Sequence, residues 1–283
     1  MTPDQYCRNK AARSGSSFYY SFLFLPAVQR QAITALYAFC REVDDTVDNC
    51  NDIDVARQKL NWWRDEIHHA FQQKATHPVG QALQTALQYF ELHEEYFMEI
   101  IDGMEMDLEQ HRYQAFKHLA LYCFRVASVV GLLSAEIFGY QNRATLKYAE
   151  KLGMALQLTN IIRDVREDAE RGRIYLPEED LQQFHVNEQQ ILALESSPEL
   201  VELLKFETER AREFYLEALN LLPEEDRFQQ RTGLIMAAIY QATLDEIERD
   251  GFRVMAQRVS LTPLRKFWLA WQTNRSEKKF AKK

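Results

Sequence analysis

The sequence predicts an all-α protein folded as a single domain, and three observations support this prediction. The two residues that most often break helices are scarce, with 9 glycines and 7 prolines among 283 residues. Apolar residues recur at spacings of three and four along most of the chain, and we find no convincing run of alternating β-branched strand residues. Because no linker, internal repeat or low-complexity segment divides the chain, we expect one domain over residues 1–283.

The helical pattern predicts each element in turn, with breakers between the elements. Pro26 opens the second helix, "THPVG" at 76–80 separates two more, and "RGRIYLPEED" at 171–180 predicts a non-helical turn. Pro198 stands at the start of a later helix and Pro223 ends it. The predicted helices cover 3–12, 27–49, 54–74, 79–92, 94–111, 115–139, 142–168, 187–194, 197–221, 225–250 and 262–275.

Charge and cysteine usage exclude some classes of function. The net charge of −8 argues against a nucleic-acid partner, which normally leaves a basic footprint. The four cysteines show no CxxC pairing and no disulfide-like spacing, which is typical of a reducing compartment. The N-terminus lacks the apolar segment of a signal peptide, and Glu136 interrupts the most apolar run before it reaches the length of a membrane span. We therefore expect a cytoplasmic protein.

The stretch "CREVDDTVDN" at 40–49 places three aspartates beside an apolar helix face. Positions four apart share one face of a helix, so Asp44 and Asp48 lie on a stripe at the edge of the buried face, whereas Asp45 points further out. Tyr37 and Arg41 precede the two aspartates on that stripe. Two carboxylates one turn apart at a half-buried position repel each other unless a positive charge lies between them.

The segment "GMALQLTNIIRDVREDAERGRIYLP" at 153–177 repeats this arrangement. Asp164 and Asp168 are again four apart, and Gln157 and Asn160 precede them on the same stripe. Gly153 lies on that face one turn earlier, and we expect it to leave room there. An asparagine and two aspartates on one stripe are hard oxygen ligands suited to Mg²⁺.

Two interpretations of these acidic stripes remain open from the residues alone. A single acidic pair at this spacing is usually a solvated helix face, and the chain has several others. Two all-aspartate pairs that each border an apolar stripe and an arginine favour a site for a diphosphate held by Mg²⁺, since the remaining phosphate oxygens require cationic donors. The candidate donors are Arg41, Arg163, Arg171 and Arg173.

Longer motifs carry a resemblance to a known family. "REVDDTVD", "YCFRVASVVG" at 122–131 and "LQLTNIIRDVREDAERGRIYLP" resemble the squalene and phytoene synthases, head-to-head prenyl transferases of the isoprenoid-synthase fold. The resemblance extends from "SGSSFYYSFLFLP" at 14–26 to "IYQATLDEI" at 239–247. Within the family, "AARSGSSFYYSFLFLP" and "RVASVVGLLSAEIFGY" are most similar to the bacterial presqualene diphosphate synthases of the hydroxysqualene route to hopanoids.

The resemblance implies a helical bundle with a central active-site cavity and a role for particular residues. It implies metal binding by Asp44, Asp48, Asn160, Asp164 and Asp168, and an active-site tyrosine at Tyr122. It implies diphosphate or prenyl contacts from Ser14, Gly15, Ser16, Ser17, Tyr37, Arg41, Gln157, Arg163 and Tyr240, to which Arg173 is added from its charge and position. Many relatives have glycine where this chain has Ser128, so we expect its hydroxyl to narrow the pocket wall.

The implied reaction joins two molecules of farnesyl diphosphate to presqualene diphosphate with two or three Mg²⁺ ions, and NADPH is not expected. The implied alternatives are phytoene synthase and (dehydro)squalene synthase. Two rivals come from other classes: a non-enzymatic helical scaffold, and a di-iron bundle suggested by the single ExxH at Glu66 and His69. The basic, aromatic C-terminal segment 265–283 is either a last helix with a soluble end or a peripheral contact with anionic lipid.

Overall fold

The all-α prediction is confirmed by the computed structural model, which describes residues 1–13, 18–50 and 52–281. No β-strand occurs within these ranges. A π-helical segment, Phe124–Ser128, joins α7 to α8 in one continuous helix. The α-helices are α1 Pro3–Arg13, α2 Phe18–Phe22, α3 Ala27–Asp48, α4 Ile53–Phe71, α5 Pro78–Ala86, α6 Glu94–Glu109, α7 Phe116–Cys123, α8 Val129–Phe138, α9 Ala144–Glu170, α10 Glu178–Gln183, α11 Glu188–Leu192, α12 Pro198–Leu221, α13 Arg231–Arg249 and α14 Pro263–Phe280.

Two hydrophobic cores form, one around each of the two aspartate-bearing helices. The α3 core joins α3 to α4, α5, α6 and α8 around fully buried residues such as Leu36 and Phe39. The α9 core joins α9 to α7, α12 and α13 around Tyr215 and Ile235. The stripes of apolar residues predicted on α3 and α9 provide much of each core, because a helix buries the face on which positions three and four apart meet.

The π-helical segment is packed tightly against α9, and Gly153 permits this contact. A Cβ atom at Gly153 would lie 2.6 Å from the carbonyl oxygen of Ala127 and 2.6 Å from Cα of Ser128. Gly153 thus leaves room on the aspartate stripe, as expected: backbone of the π-helical segment occupies part of that space, and Gly153 also lines the cavity described below. Insertions of this type occur often near functional sites, since they redirect the side chains that follow.

Several predicted helix ends differ from the structure. The predicted helix at 225–250 begins only at Arg231, because buried Asp226 accepts hydrogen bonds from Gln141 N, Asn142 N and the Thr145 hydroxyl, which ties this turn to the start of α9. The helix predicted over 79–92 ends at Ala86, where the chain turns to bury Leu92. Neither α2 nor α10 was expected, and α10 begins inside the segment predicted as a non-helical turn.

Two further expectations from the sequence concern the ExxH motif at Glu66 and the length of the most apolar run. Glu66 is buried and accepts hydrogen bonds from the backbone of Thr76 and His77, so it caps a loop. Within the described residues no group of metal-ligating side chains forms around it, which removes the basis for a di-iron site. The continuous helix Phe116–Phe138 is long and apolar enough to cross a membrane by length and composition alone, although Glu136 led us to expect no such run; half of its most apolar window is buried in the protein.

Candidate active site

A cavity of about 880 Å³ is lined by helices from both cores. Along α3 the lining side chains change from apolar at Ile33 to acidic at Asp48. Along α9 they change in the same way, from Leu152 to Asp168. Arg173, which follows α9, reaches Asp48 on α3, so the charged ends of the two helices lie together. The cavity therefore has one charged, solvent-accessible mouth and one apolar end. Its volume is near the upper end of the range for small-molecule pockets, ~300–1,000 Å³.

The α3 aspartates both have arginine partners. Arg41 Nη1 donates to Asp44 Oδ2 at 2.5 Å on the same helix. Asp48 binds Arg173 at 2.9 Å and Arg171 at 3.3 Å, so cations from beyond α9 neutralise a carboxylate on α3. Burial raises the pKa of Asp44 to about 6, because the opposing effect of Arg41 is smaller and Asp48 adds negative charge.

The two α9 aspartates differ in their ion-pair partners and in their pKa values. Asp164 binds Arg163 at 2.7 Å and Arg258 at 3.0 Å, and although burial alone would raise its pKa, these guanidinium groups hold the pKa below its usual value. Within the described residues no basic side chain lies within ion-pair distance of Asp168. Burial, and then the charge of Asp164, raises the pKa of Asp168 to about 8.

The α9 stripe has the chemical character of a cation site. The Asn160 Oδ1 atom is buried and has no hydrogen-bond donor among the residues that the structure describes, which is costly unless a ligand supplies the partner. Asp48 is the last residue of α3 and Asp168 lies in the last turn of α9, where the helix dipole disfavours negative charge and favours a cation. Within the described residues no three His, Cys, Asp or Glu side chains converge on one point. Mg²⁺ nevertheless fits this donor set, because it takes one or two carboxylates and completes its shell with water and phosphate.

The other predicted contact residues have mixed outcomes. Six of the predicted contact residues line the cavity, namely Tyr37, Arg41, Gln157, Arg163, Arg173 and Tyr240. Ser14, Gly15, Ser16 and Ser17 lie outside the described residues. Asp45 does not line the cavity and pairs with Lys10 at 2.8 Å, as the helical spacing predicts. Ser128 is wrongly predicted to narrow the wall, because its buried hydroxyl donates to the Glu150 carbonyl at 2.8 Å and ties the π-helical segment to α9.

The mouth of the cavity contains two basic residues that the sequence did not predict. Arg258 comes from the segment between α13 and α14 and binds Asp164. Lys266, near the start of α14, lines the cavity and lies close enough to Arg163 and Arg258 for their charges to lower its pKa, although burial is the larger cause. No local spacing relates these residues to the aspartate stripes. The chain reverses after α13 and only the tertiary fold brings them to the mouth.

A buried network around Tyr122 was also missed. Asp107 on α6 accepts hydrogen bonds from the hydroxyls of Tyr122 at 2.9 Å and Tyr175 at 2.7 Å, and the two hydroxyls are 3.4 Å apart. Burial and the charge of Asp107 raise the pKa of Tyr122 well above its ordinary value. One signal was available: Asp107 stands between the apolar positions Met104 and Leu108 on the buried face of α6.

Comparisons with known proteins identify relatives of this chain. The sequence profile of the squalene/phytoene synthase family matches residues 11–265. A phytoene synthase of Arthrospira platensis is 38% identical over 268 residues, covering 89% of this chain and 86% of the relative. A presqualene diphosphate synthase of Sinorhizobium fredii is 36% identical over 265 residues, covering 92% and 94%.

The fold agrees as well. A crystal structure of a dehydrosqualene synthase in complex with a ligand superposes with a TM-score of 0.87 at 28% identity, covering 98% of this chain and 97% of that one. The profile match over most of the chain and the two relatives above 30% identity point to one family of head-to-head prenyl transferases. The chain belongs to the squalene/phytoene synthase family.

Proposed function

We propose that this enzyme condenses two molecules of farnesyl diphosphate head-to-head to presqualene diphosphate and diphosphate, as a step of hopanoid biosynthesis. The observation that carries the proposal is the mouth of the cavity, where two aspartate pairs and the unpartnered Asn160 oxygen adjoin a long apolar wall. A prenyl diphosphate has the same division into an anionic head and an apolar tail. The 36% identity to a presqualene diphosphate synthase over nearly its whole length supports the choice of product.

The charged mouth would bind the two diphosphates. Mg²⁺, as two or three ions held by Asp44, Asp48, Asn160, Asp164 and Asp168, would stabilise the negative charge that develops on the leaving diphosphate when the C–O bond breaks. Arg41, Arg163 and Arg173 would donate to the remaining phosphate oxygens, and we add Arg258 and Lys266 to this set from their position. The arginines now bonded to aspartates would then exchange a carboxylate for a phosphate.

The apolar part of the cavity would protect the allylic cation from water. Aromatic side chains such as Phe22, Tyr37 and Tyr240 line the cavity, and an aromatic face stabilises a cation that lies over it. The cation adds to the 2,3 double bond of the second prenyl diphosphate, and loss of a proton closes the cyclopropane. Tyr122 is a poor acceptor for this proton, because its hydroxyl is neutral and already donates to Asp107. We therefore assign the proton to an oxygen of the released diphosphate and give Tyr122 a positioning role.

Two other products are supported by specific relatives. The 38% identity to a phytoene synthase favours condensation of the C20 substrate geranylgeranyl diphosphate. The similarity to a dehydrosqualene synthase structure favours a C30 hydrocarbon, for which a squalene product would also require NADPH as reductant. We do not expect NADPH to be needed for the reaction proposed here. A non-enzymatic scaffold is disfavoured by membership of an enzyme family.

The product assay separates these functions. The purified enzyme is incubated with farnesyl or geranylgeranyl diphosphate and Mg²⁺, with and without NADPH, and the products are identified by mass spectrometry after phosphatase treatment. We expect a C30 cyclopropyl alcohol from farnesyl diphosphate and no effect of NADPH. Phytoene from the C20 substrate, or squalene formed only with NADPH, would replace the proposed product. A scaffold would give no product, and neither Mg²⁺ nor diphosphate would raise its melting temperature.

We also propose a cytoplasmic location. The four cysteines remain free in the structure, and two of them, Cys7 and Cys123, are buried as thiols, which suits a reducing compartment. Fractionation of cells with a compartment marker would test this location.

A further inference from the structure

The C-terminal helix α14 presents an outer face whose composition is unusual for a protein surface. Leu264, Phe267, Trp268 and Trp271 follow one another at spacings of three, one and three, and their exposed fractions are 83%, 48%, 53% and 42%. The opposite face, which includes buried Ala270 and Glu277, packs against the body of the protein. Isolated exposed apolar residues are ordinary, but four on one helical stripe mark an interaction surface.

The same outer face becomes basic towards its C-terminal end. Arg275, Lys278 and Lys279 continue the stripe and are exposed. The Arg275 guanidinium lies over the Trp271 ring at 5.2 Å. Within the described residues no carboxylate lies within ion-pair distance of any of these three cations, whereas Glu277 on the inner face pairs with Arg227. The chain as a whole carries a net charge of −8, so this face is positive on an acidic protein.

From this arrangement we infer that the outer face of α14 docks on an anionic lipid bilayer. An amphipathic helix with tryptophan and phenylalanine beside lysine and arginine is suited to lie in the plane of the membrane interface, with its rings among the acyl chains and its cations at the headgroups. Each lysine or arginine near an anionic leaflet adds electrostatic attraction to the headgroups. The acidic body is repelled by the same surface, which orients the protein with α14 towards the lipid.

A second copy of the chain is a poorer occupant. An 18-residue helix is about 27 Å long and about 10 Å wide, so its outer face offers roughly 270 Å². A stable interface buries about 800 Å² on each partner. Two copies that met through this face would also bring their cations together. A bilayer has no such minimum area, and it supplies the opposite charge.

Docking places the cavity beside the membrane. Val259 and Leu261, which immediately precede α14, line the cavity. Lys266, which belongs to α14, also lines it. The apolar part of the outer face begins at Leu264, at the same end of the helix. If the proposed function is correct, a C30 product would leave the cavity close to the bilayer that dissolves it. The docking inference itself depends only on the outer face.

Vesicle sedimentation tests the inference with the whole 283-residue chain, free of metal and of prenyl diphosphate, so its result is independent of the proposed reaction. The vesicles are an equimolar mixture of phosphatidylcholine and phosphatidylglycerol, with pure phosphatidylcholine as comparison. We expect the protein to sediment with the anionic vesicles only, and to be released by high salt. Protein that remains in the supernatant with both vesicles would overturn the inference.

Two variants and their matched controls locate the surface. Trp268→Ser with Trp271→Ser should weaken sedimentation about tenfold or more, and Lys278→Glu with Lys279→Glu should do so by about the same factor. The controls change equally exposed residues elsewhere: Tyr89→Ser with Leu216→Ser, and Lys59→Glu with Lys74→Glu. Because the two exposed lysines are not packed, the charge variant keeps the test valid if the tryptophan variant unfolds. Equal binding by test and control variants, or a dimer in size-exclusion chromatography that the tryptophan variant dissociates, would refute the lipid assignment.

Discussion

The two aspartate pairs look alike in sequence but differ in how the fold completes them. On α3, Asp44 and Asp48 each bind arginine, and the partners of Asp48 come from beyond α9. On α9, two arginines converge on Asp164, while Asp168 has a raised pKa and, among the described residues, no basic side chain within ion-pair distance. Both α3 aspartates are therefore paired with the protein's own cations, whereas on α9 Asp164 is paired in this way and Asp168 lines the cavity without a basic partner among the described residues. The difference indicates that α9 forms the stronger half of the proposed metal site.

The largest effect should come from removing the open carboxylate. Asp168→Asn should reduce turnover by at least about 10²–10³-fold and abolish the stabilisation by Mg²⁺. Asp44→Asn and Asp164→Asn should lower turnover by a similar factor, but we expect Asp44→Asn to retain more of the Mg²⁺-dependent rise in melting temperature, because it leaves the α9 stripe intact. Steady-state kinetics and thermal unfolding with and without Mg²⁺ provide the measurements.

Glu170→Gln is the matched control, since Glu170 follows on α9 but binds Arg166. Full activity in Asp168→Asn would remove this carboxylate from the site. A greater loss of Mg²⁺ response in Asp44→Asn than in Asp168→Asn would reverse the comparison between the two helices.

The next effect tests the arginines that join the two pairs. Arg173 is 11% exposed and Arg171 is 50% exposed, although both bind Asp48. Arg173→Gln should lower kcat/KM by about 10–100-fold, because a desolvated charge-assisted contact is strong. Arg171→Gln should lower it by about threefold or less, since exposed ion pairs contribute little. Equal losses in the two variants would show that exposure does not decide the role of these arginines.

A smaller effect is expected at the network beneath the mouth. Asp107→Asn cannot accept equally from Tyr122 and Tyr175, so one hydroxyl loses its acceptor, at a cost of about 1–3 kcal/mol in stability. We expect kcat to fall about tenfold with little change in KM, because Tyr122 loses its fixed position. Denaturant unfolding and kinetics at saturating substrate measure the two effects separately.

Tyr113→Phe is the control in the same cluster. The Tyr113 ring stacks on Tyr175, but its buried hydroxyl has no hydrogen-bond partner in the described part of the chain, so its removal should leave both activity and stability unchanged or raise stability. If Tyr113→Phe is as harmful as Asp107→Asn, packing rather than hydrogen bonding holds Tyr122.

The sequence predicts those parts of the site that depend on local helical spacing. The position of five residues at the cavity is predictable, because the 3.6-residue period of a helix places Asp44 and Asp48 on one stripe of α3 and Asn160, Asp164 and Asp168 on one stripe of α9. The period also predicts which helices exist, since each must bury one face.

Periodicity carries no information on the distant contacts that complete the mouth. Arg258 and Lys266 reach it only because α13 and α14 pack back against the body of the protein. The error at Ser128 has the same origin, because its direction is set by the π-helical segment and not by a regular helix.

The smallest effect concerns an acid pair outside the cavity, which shows what a purely structural pair looks like. Asp180 and Glu207 are both buried and share Arg210, whose Nη1 lies 2.8 Å from an oxygen of each. Burial raises the pKa of Glu207 to about 8, since the opposing effect of Arg210 is smaller and Asp180 adds negative charge. Arg210 pairs with both of these acids, whereas Asp168 on α9 has no such partner among the described residues. Asp180 and Glu207 are also not among the residues that line the cavity.

Because the folded pKa of Glu207 lies above its value in the unfolded chain, the stability that its proton provides is present at low pH and is lost as pH rises through about 8. Glu207→Gln cannot lose this proton, so the difference in melting temperature between wild type and variant should shift by roughly 2–4 °C in favour of the variant from pH 6 to pH 9, the shift that about 1 kcal/mol causes in a large domain. Glu209→Gln, an exposed neighbour on α12 paired with Arg212, should show no such change. If the melting temperatures of wild type and Glu207→Gln change equally with pH, Arg210 keeps both acids ionised. Access to the cavity would then be the only difference between this pair and the α9 aspartates.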